Sequence, residues 1–143
     1  MITVSQLLRA KGRDVWYIAP DACVIDALKL MADKEVGALV VLEGETLVGI
    51  ISERDYARKV MLKEKSSMDT PVSEIMTQRV ICVGPEQTIQ ECMALMTDKH
   101  VRHLPVLEDD RLVGIVSIGD VVKAIITQQE FMIEQLERYI DGG

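Results

Sequence analysis

Two stretches of the chain place the same chemistry at the same spacing. GIISERD runs from Gly49 to Asp55 and GIVSIGD from Gly114 to Asp120. In each, a glycine and two β-branched apolar residues lead into a serine, with an aspartate three residues further on: Ser52 with Asp55, and Ser117 with Asp120. The β-branched apolar residues before the serine predict a strand, and the residues after it predict the first turn of a helix. A serine at that junction accepts a backbone N–H, and an acidic residue in the first turn favours the positive helix end. The same geometry suits a ligand. Helix N-termini attract phosphate, a hydroxyl adds a hydrogen bond, and a carboxylate accepts from the hydroxyls of a ribose. Both uses of these residues are compatible, because a capping serine can exchange its partner for a ligand.

The elements that must position these residues are also written twice. Pro20 recurs as Pro85, Gly49 as Gly114, Ser52 as Ser117 and Asp55 as Asp120, each offset by 65 positions without a gap. Leu30, Met31, Asp33, Lys34, Val36, Leu39, Val41 and Leu42 recur unchanged at the same offset. Such density marks an internal duplication. Upstream, VSQLL from Val4 matches VSEIM from Val72 at an offset of 68, so the first copy carries three extra residues around RAKGRD. The repeats therefore run over residues 1–62 and 70–127, with a polar linker at 63–69 and a helical tail at 128–143.

Each copy reads as β-α-β-β-α. VWYIA and VICV predict short strands that end at a proline. Val24, Ala27, Leu28 and Met31 fall on one helical face, as do Ile89, Cys92, Met93 and Met96. Thr88 with Glu91 predicts a capping box. Hairpins are expected to turn at Glu43-Gly44-Glu45 and at Asp109-Asp110, with second helices starting at Glu53 and Ile118. The fold class is α/β of the α+β type: two β-α-β-β-α units, expected to pack sheet to sheet with pseudo-twofold symmetry because one such unit is too small to close a core well. The tail carries Phe131, Met132, Leu136, Tyr139 and Ile140 as an apolar stripe.

Composition narrows the function. The 143 residues carry a net charge of −7, which disfavours broad binding to nucleic acid. Aromatic residues make up 3%, so no stacking platform for single strands is visible. No window predicts a membrane span and no secretory signal is legible, so a cytoplasmic protein is expected. Cys23, Cys82 and Cys92 share no ligand spacing with each other or with His100 and His103, so no metal site is expected and the thiols read as buried and inert. No Cys/His pair, metal cluster or Walker-type phosphate loop stands at a usable spacing, so no catalytic residues are assigned and the chain is not expected to be an enzyme.

The duplicated Gly-h-h-Ser-x-x-Asp motif, the HLPV strand from His103 to Val106, the VSEIMT lead-in at Val72 and the β-α-β-β-α order resemble the CBS-domain family, and the resemblance covers nearly the whole chain. Two such units in tandem form a Bateman module. The resemblance implies adenosine-containing ligands held in clefts between the units: AMP, ADP, ATP, NAD(H) or another dinucleotide, or S-adenosylmethionine. It also implies regulation of a partner rather than catalysis, and pairing into a homodimer. It places Asp55 and Asp120 on ribose and Ser52 and Ser117 near ribose or phosphate. Backbone at Ile18, Ala19 and Pro20, and at Val83, Gly84 and Pro85, would flank the adenine. The positions before LPV, Arg102 and His103, would reach phosphate. Their counterparts in the first copy are Gly37 and Ala38, whereas Arg54 and Arg58 follow the first motif where the second has Gly119 and Lys123. The two sites are thus expected to be chemically unequal. The leading expectation is a regulatory module sensing an adenine nucleotide; the alternative is an interaction scaffold with the same fold and no significant nucleotide binding.

Overall fold

A computed structural model describes residues 1–141. It contains mixed α and β elements with two small sheets, in two compact units. One unit is Asp14–Ile81. The other joins Met1–Arg13 to the chain from Cys82 onward.

In the Asp14–Ile81 unit, strand β1 (Tyr17–Ile18) pairs in parallel with β2 (Ala38–Glu43), which pairs antiparallel with β3 (Thr46–Ser52). Helix α2 (Val24–Lys34) buries Val24, Ala27 and Met31 against Leu39, Val41 and Ile51, as its i, i+3, i+7 spacing requires. The last helix begins as α3 (Glu53–Tyr56) and widens into a π-helical turn at Ala57–Met61. That turn was not legible in the sequence. It buries Val60 while leaving Arg58 exposed.

The other unit repeats this plan. Helix α5 (Ile89–Lys99) starts with the expected capping box, Thr88 and Glu91 exchanging hydrogen bonds with each other's backbone N–H. It buries Ile89, Cys92 and Met96. Burial, with Glu91 beside it, pushes the Cys92 thiol up to about 11, and burial also raises Cys82. Strands β4 (His103–Glu108) and β5 (Arg111–Ser117) form the second hairpin. Its two-residue turn has both Asp109 and Asp110 at positive φ, the backbone of a type I′ turn. Helices α2 and α5 both end on a left-handed residue, Glu35 and His100, 65 positions apart.

Three features differ from the sequence expectation. VICV forms no strand; only Val83 bridges to Val106, the counterpart of the Ile18–Val41 pairing in β1. The tail is no separate element: α6 runs unbroken from Ile118 to Asp141, since no glycine or proline stands between Asp120 and Asp141. Finally, the compact units are not the sequence repeats. Helix α1 (Val4–Lys11), which leads the first repeat, packs with the second repeat's strands, and α4 (Val72–Ile75), which leads the second, packs with the first's.

The exchange is visible atom by atom. Ser73 N–H donates to Pro20 O at 2.9 Å, and Ser5 N–H donates to Pro85 O at 2.8 Å. Val72 N–H donates to Ala22 O, and Val4 N–H to Gln87 O, both at 2.8 Å. A side chain at Gly49 would meet Met76 Sδ at 2.6 Å, and one at Gly114 would meet the Leu8 methyls at 2.8 Å. Each repeat's motif glycine is thus the place where the other repeat's lead-in approaches the hairpin.

Candidate functional site

Ser52 ends β3 and caps α3. Its Oγ accepts from Asp55 N–H at 3.2 Å, and Asp55 Oδ2 accepts from Ser52 N–H at 3.0 Å and from its hydroxyl at 3.1 Å. The other carboxylate oxygen, Oδ1, accepts from Thr77 Oγ1 at 3.3 Å and pairs with Lys59 Nζ at 3.0 Å. Lys59 also donates to Ile75 O at 3.0 Å. Both Asp55 oxygens are therefore engaged within the unit.

Ser117 and Asp120 repeat the reciprocal pair at the start of α6. Ser117 Oγ accepts from Asp120 N–H at 3.1 Å and Asp120 Oδ2 accepts from Ser117 N–H at 2.9 Å. Here the cation comes from far away in sequence. Lys11, at the end of α1, places Nζ 2.5 Å from Asp120 Oδ2 and donates to Ile115 O at 2.9 Å. Oδ1 of Asp120 accepts no hydrogen bond among the described residues. His103 lies directly opposite Ser117 in the β4–β5 ladder, and Arg102 O accepts from Ile118 N–H at 2.9 Å. The same register sets Ala38 opposite Ser52, with Gly37 O accepting from Glu53 N–H at 3.1 Å. Arg102 and His103 thus flank the second motif where Gly37 and Ala38 flank the first.

The electrostatics follow from this packing. Burial tends to raise the Asp120 carboxyl, but the hydrogen bond and charge of Lys11, with the hydrogen bonds from Ser117, outweigh it and hold the carboxyl below its usual range. Burial lowers His103, and Lys11 and Arg102 lower it further against the opposing pull of Asp120. The packing around His103 therefore favours the uncharged imidazole.

The remaining sequence-selected residues sit nearby in chain terms with different roles. Ile18 lies in β1, and Ala19 and Pro20 in the turn that follows, where Ala19 O accepts from Ala22 N–H at 3.2 Å. Val83 is buried between Pro105 O and Leu107 N–H, and Gly84 N–H donates to Gln87 Oε1 at 2.8 Å. Pro85 receives Ser5 as described. Arg54 and Arg58 are exposed on α3 and the π-helical turn, and the cation paired with Asp55 is Lys59. Sequence reasoning missed both lysines. Lys59 carried a usable signal, standing one helical turn after Asp55. Lys11 carried only its place within the three-residue excess of the first lead-in.

Among the described residues no group of histidine, cysteine and acidic side chains is arranged to hold a metal ion, and no helix is long and apolar enough to cross a membrane.

Comparison with known proteins agrees with this architecture. The CBS domain family model matches residues 4–62 and 72–127. The mitochondrial CBS domain-containing protein CBSX3 of Arabidopsis thaliana is 42% identical over 150 residues, which cover 99% of this chain and 73% of that protein. The solved structure of a protein with CBS domains from Burkholderia ambifaria MC40-6 is 52% identical with a TM-score of 0.86, covering 89% of this chain and 96% of that one. The CBS domain pair of protein MJ0100, solved in complex with 5′-methylthioadenosine and S-adenosyl-L-methionine, shares the fold at a TM-score of 0.80 and 23% identity, over 90% of this chain and 98% of that one. With two matched copies and a duplicated Ser-x-x-Asp motif at the end of each hairpin, the chain belongs to the CBS-domain family as a tandem pair.

Proposed function

We propose that this chain is a non-catalytic regulatory module that binds an adenosine-containing ligand, AMP or another adenine nucleotide such as ADP, ATP or NAD(H), and passes its occupancy to a partner or to its own oligomeric state. The observation that carries this reading is the Asp120 carboxylate. It is ionised, fixed in direction by Ser117 and Lys11, and keeps Oδ1 available to a sugar hydroxyl. In this reading Arg102 and His103, which flank the same motif, take the phosphate. The adenosine ligands of the MJ0100 pair support the same ligand class.

A second reading has an observation of its own. The Ser52–Asp55 pair completes a capping box, and Thr77 and Lys59 take the remaining oxygen, so this motif is satisfied without any ligand. A scaffold that uses both motifs as caps would need nothing more. Melting the protein with AMP, ADP, ATP, NAD(H) and S-adenosylmethionine separates the two. A ligand at a hundred times its dissociation constant adds about 2.7 kcal/mol to the folded state. A shift with any of these supports the module, and no shift together with no heat in calorimetry supports the scaffold. Incubation followed by product analysis tests the absence of catalysis.

For assembly we propose a homodimer. Ile126, Phe131, Met132, Leu136 and Tyr139 of α6 are all exposed, and apolar surface of this extent is covered in most soluble proteins. Light scattering at micromolar concentration, with and without AMP, reads the state directly.

A further inference from the structure

The ion pair between Lys11 and Asp120 has a consequence for ligand choice, resting on the reading that Asp120 receives the ribose. We infer that Lys11, supplied by the first repeat's lead-in helix to the second repeat's motif, is a specificity-determining residue that makes this site prefer phosphorylated adenosine ligands over uncharged adenosine and over the sulfonium cation of S-adenosylmethionine.

Four observations carry it. Lys11 reaches Asp120 from 109 positions away and is held at two points, the carboxylate and Ile115 O, so its ammonium is fixed within hydrogen-bond distance of the proposed ribose acceptor. An ammonium has three donors, and these two bonds leave one for a ligand. His103 stands opposite Ser117 with Arg102 beside it in the chain, so the side chains of Lys11, Arg102 and Asp120 all act on the same imidazole. Two basic side chains against one carboxylate leave an excess positive charge, which attracts a phosphate and repels a sulfonium. The first motif lacks this arrangement. The position matching Lys11 by the lead-in offset is Arg79, but the lysine on Asp55 is its own helical neighbour Lys59, and Gly37 and Ala38 replace Arg102 and His103. Selection by charge is therefore a property of the Asp120 site, delivered by the exchanged lead-in helix.

The test is calorimetry on the full chain with adenosine, AMP and S-adenosylmethionine, comparing wild type, Lys11→Met and Lys11→Arg, with the site assigned as the one that Asp120→Ala weakens. Wild type should bind AMP at least tenfold more tightly than adenosine. Lys11→Met should reduce that ratio about tenfold, chiefly by weakening AMP, and should improve S-adenosylmethionine relative to AMP. Lys11→Arg should keep most of the preference. An unchanged AMP-to-adenosine ratio in Lys11→Met, with adenosine still bound, overturns this inference and leaves the proposed function standing. Equal loss in Lys11→Met and Lys11→Arg assigns the effect to packing and also overturns it. Wild-type protein that binds none of the three overturns this inference, and one that also binds none of ADP, ATP and NAD(H) overturns the proposed function with it. Should Lys11→Met not fold, the wild-type ratio alone decides, since adenosine binding as tightly as AMP contradicts charge selection.

Discussion

Leu8 and Gly114 lie so close that a β-carbon on the glycine would come within 2.8 Å of both Leu8 methyls. Leu8 is 1% exposed, so it has little room to yield. Gly114→Ala should therefore destabilise the protein by roughly 1–3 kcal/mol through overpacking. Leu8→Ala should cost about 2–5 kcal/mol by opening a cavity. The double substitution should be less damaging than the sum of the two, because each relieves the other's defect. Urea melts of the three variants measure the coupling. Additive losses would mean that α1 does not press on β5 as described.

The two motif aspartates should part company in stability. Asp55 accepts from Ser52, Thr77 and Lys59 through both oxygens and its side chain is 13% exposed, whereas Asp120 is 24% exposed and uses one oxygen. Asp55→Ala removes more of the fold's own hydrogen bonds and should cost about 1–3 kcal/mol, with Asp120→Ala costing less. Thermal melts without nucleotide rank them. The opposite order would assign Asp120 the heavier structural role.

The repeat made much of this legible. Hairpins, helix faces, the Thr88 cap and the pairing of Ser with Asp all follow from local periodicity and an offset of 65 residues. The alignment of Gly37 and Ala38 with Arg102 and His103 also reappears in the strand register, because an ungapped repeat preserves which residue faces which. What stayed hidden is non-local. No spacing within Val4–Lys11 says that this helix packs on β5 rather than on its own repeat. The changed offset, 68 upstream against 65 downstream, marked the junction without showing the crossing. Helix α1 has eight residues where α4 has four, and Lys11 is its last. The π-helical turn at Ala57–Met61 likewise leaves no periodic signature in five residues.

Acidification should weaken the fold through His103. Its folded-state pKa lies below the usual 6.5 because of burial and the charges of Lys11 and Arg102. The unfolded chain then takes up a proton before the folded one does. The stability this neutral imidazole contributes is present above about pH 6.5 and is lost as the pH falls from there through the folded value. His103→Gln should flatten stability between pH 7.5 and pH 5.5, removing a slope of at most about 1.4 kcal/mol per pH unit. Denaturant melts at several pH values read that slope, and an identical slope in the variant would place the titration elsewhere.

Binding at Asp120 is the claim on which the function rests, and calorimetric titration of AMP into wild type, Asp120→Ala and Asp55→Ala tests it most directly. Losing a charged acceptor for the ribose hydroxyls should weaken AMP by roughly 1–3 kcal/mol, a factor of about 5 to 150, in Asp120→Ala. Asp55→Ala, whose aspartate is already engaged by Thr77 and Lys59, should lose less affinity while losing more stability. Folded Asp120→Ala that binds AMP as tightly as wild type, or a larger affinity loss in Asp55→Ala, would contradict the assignment.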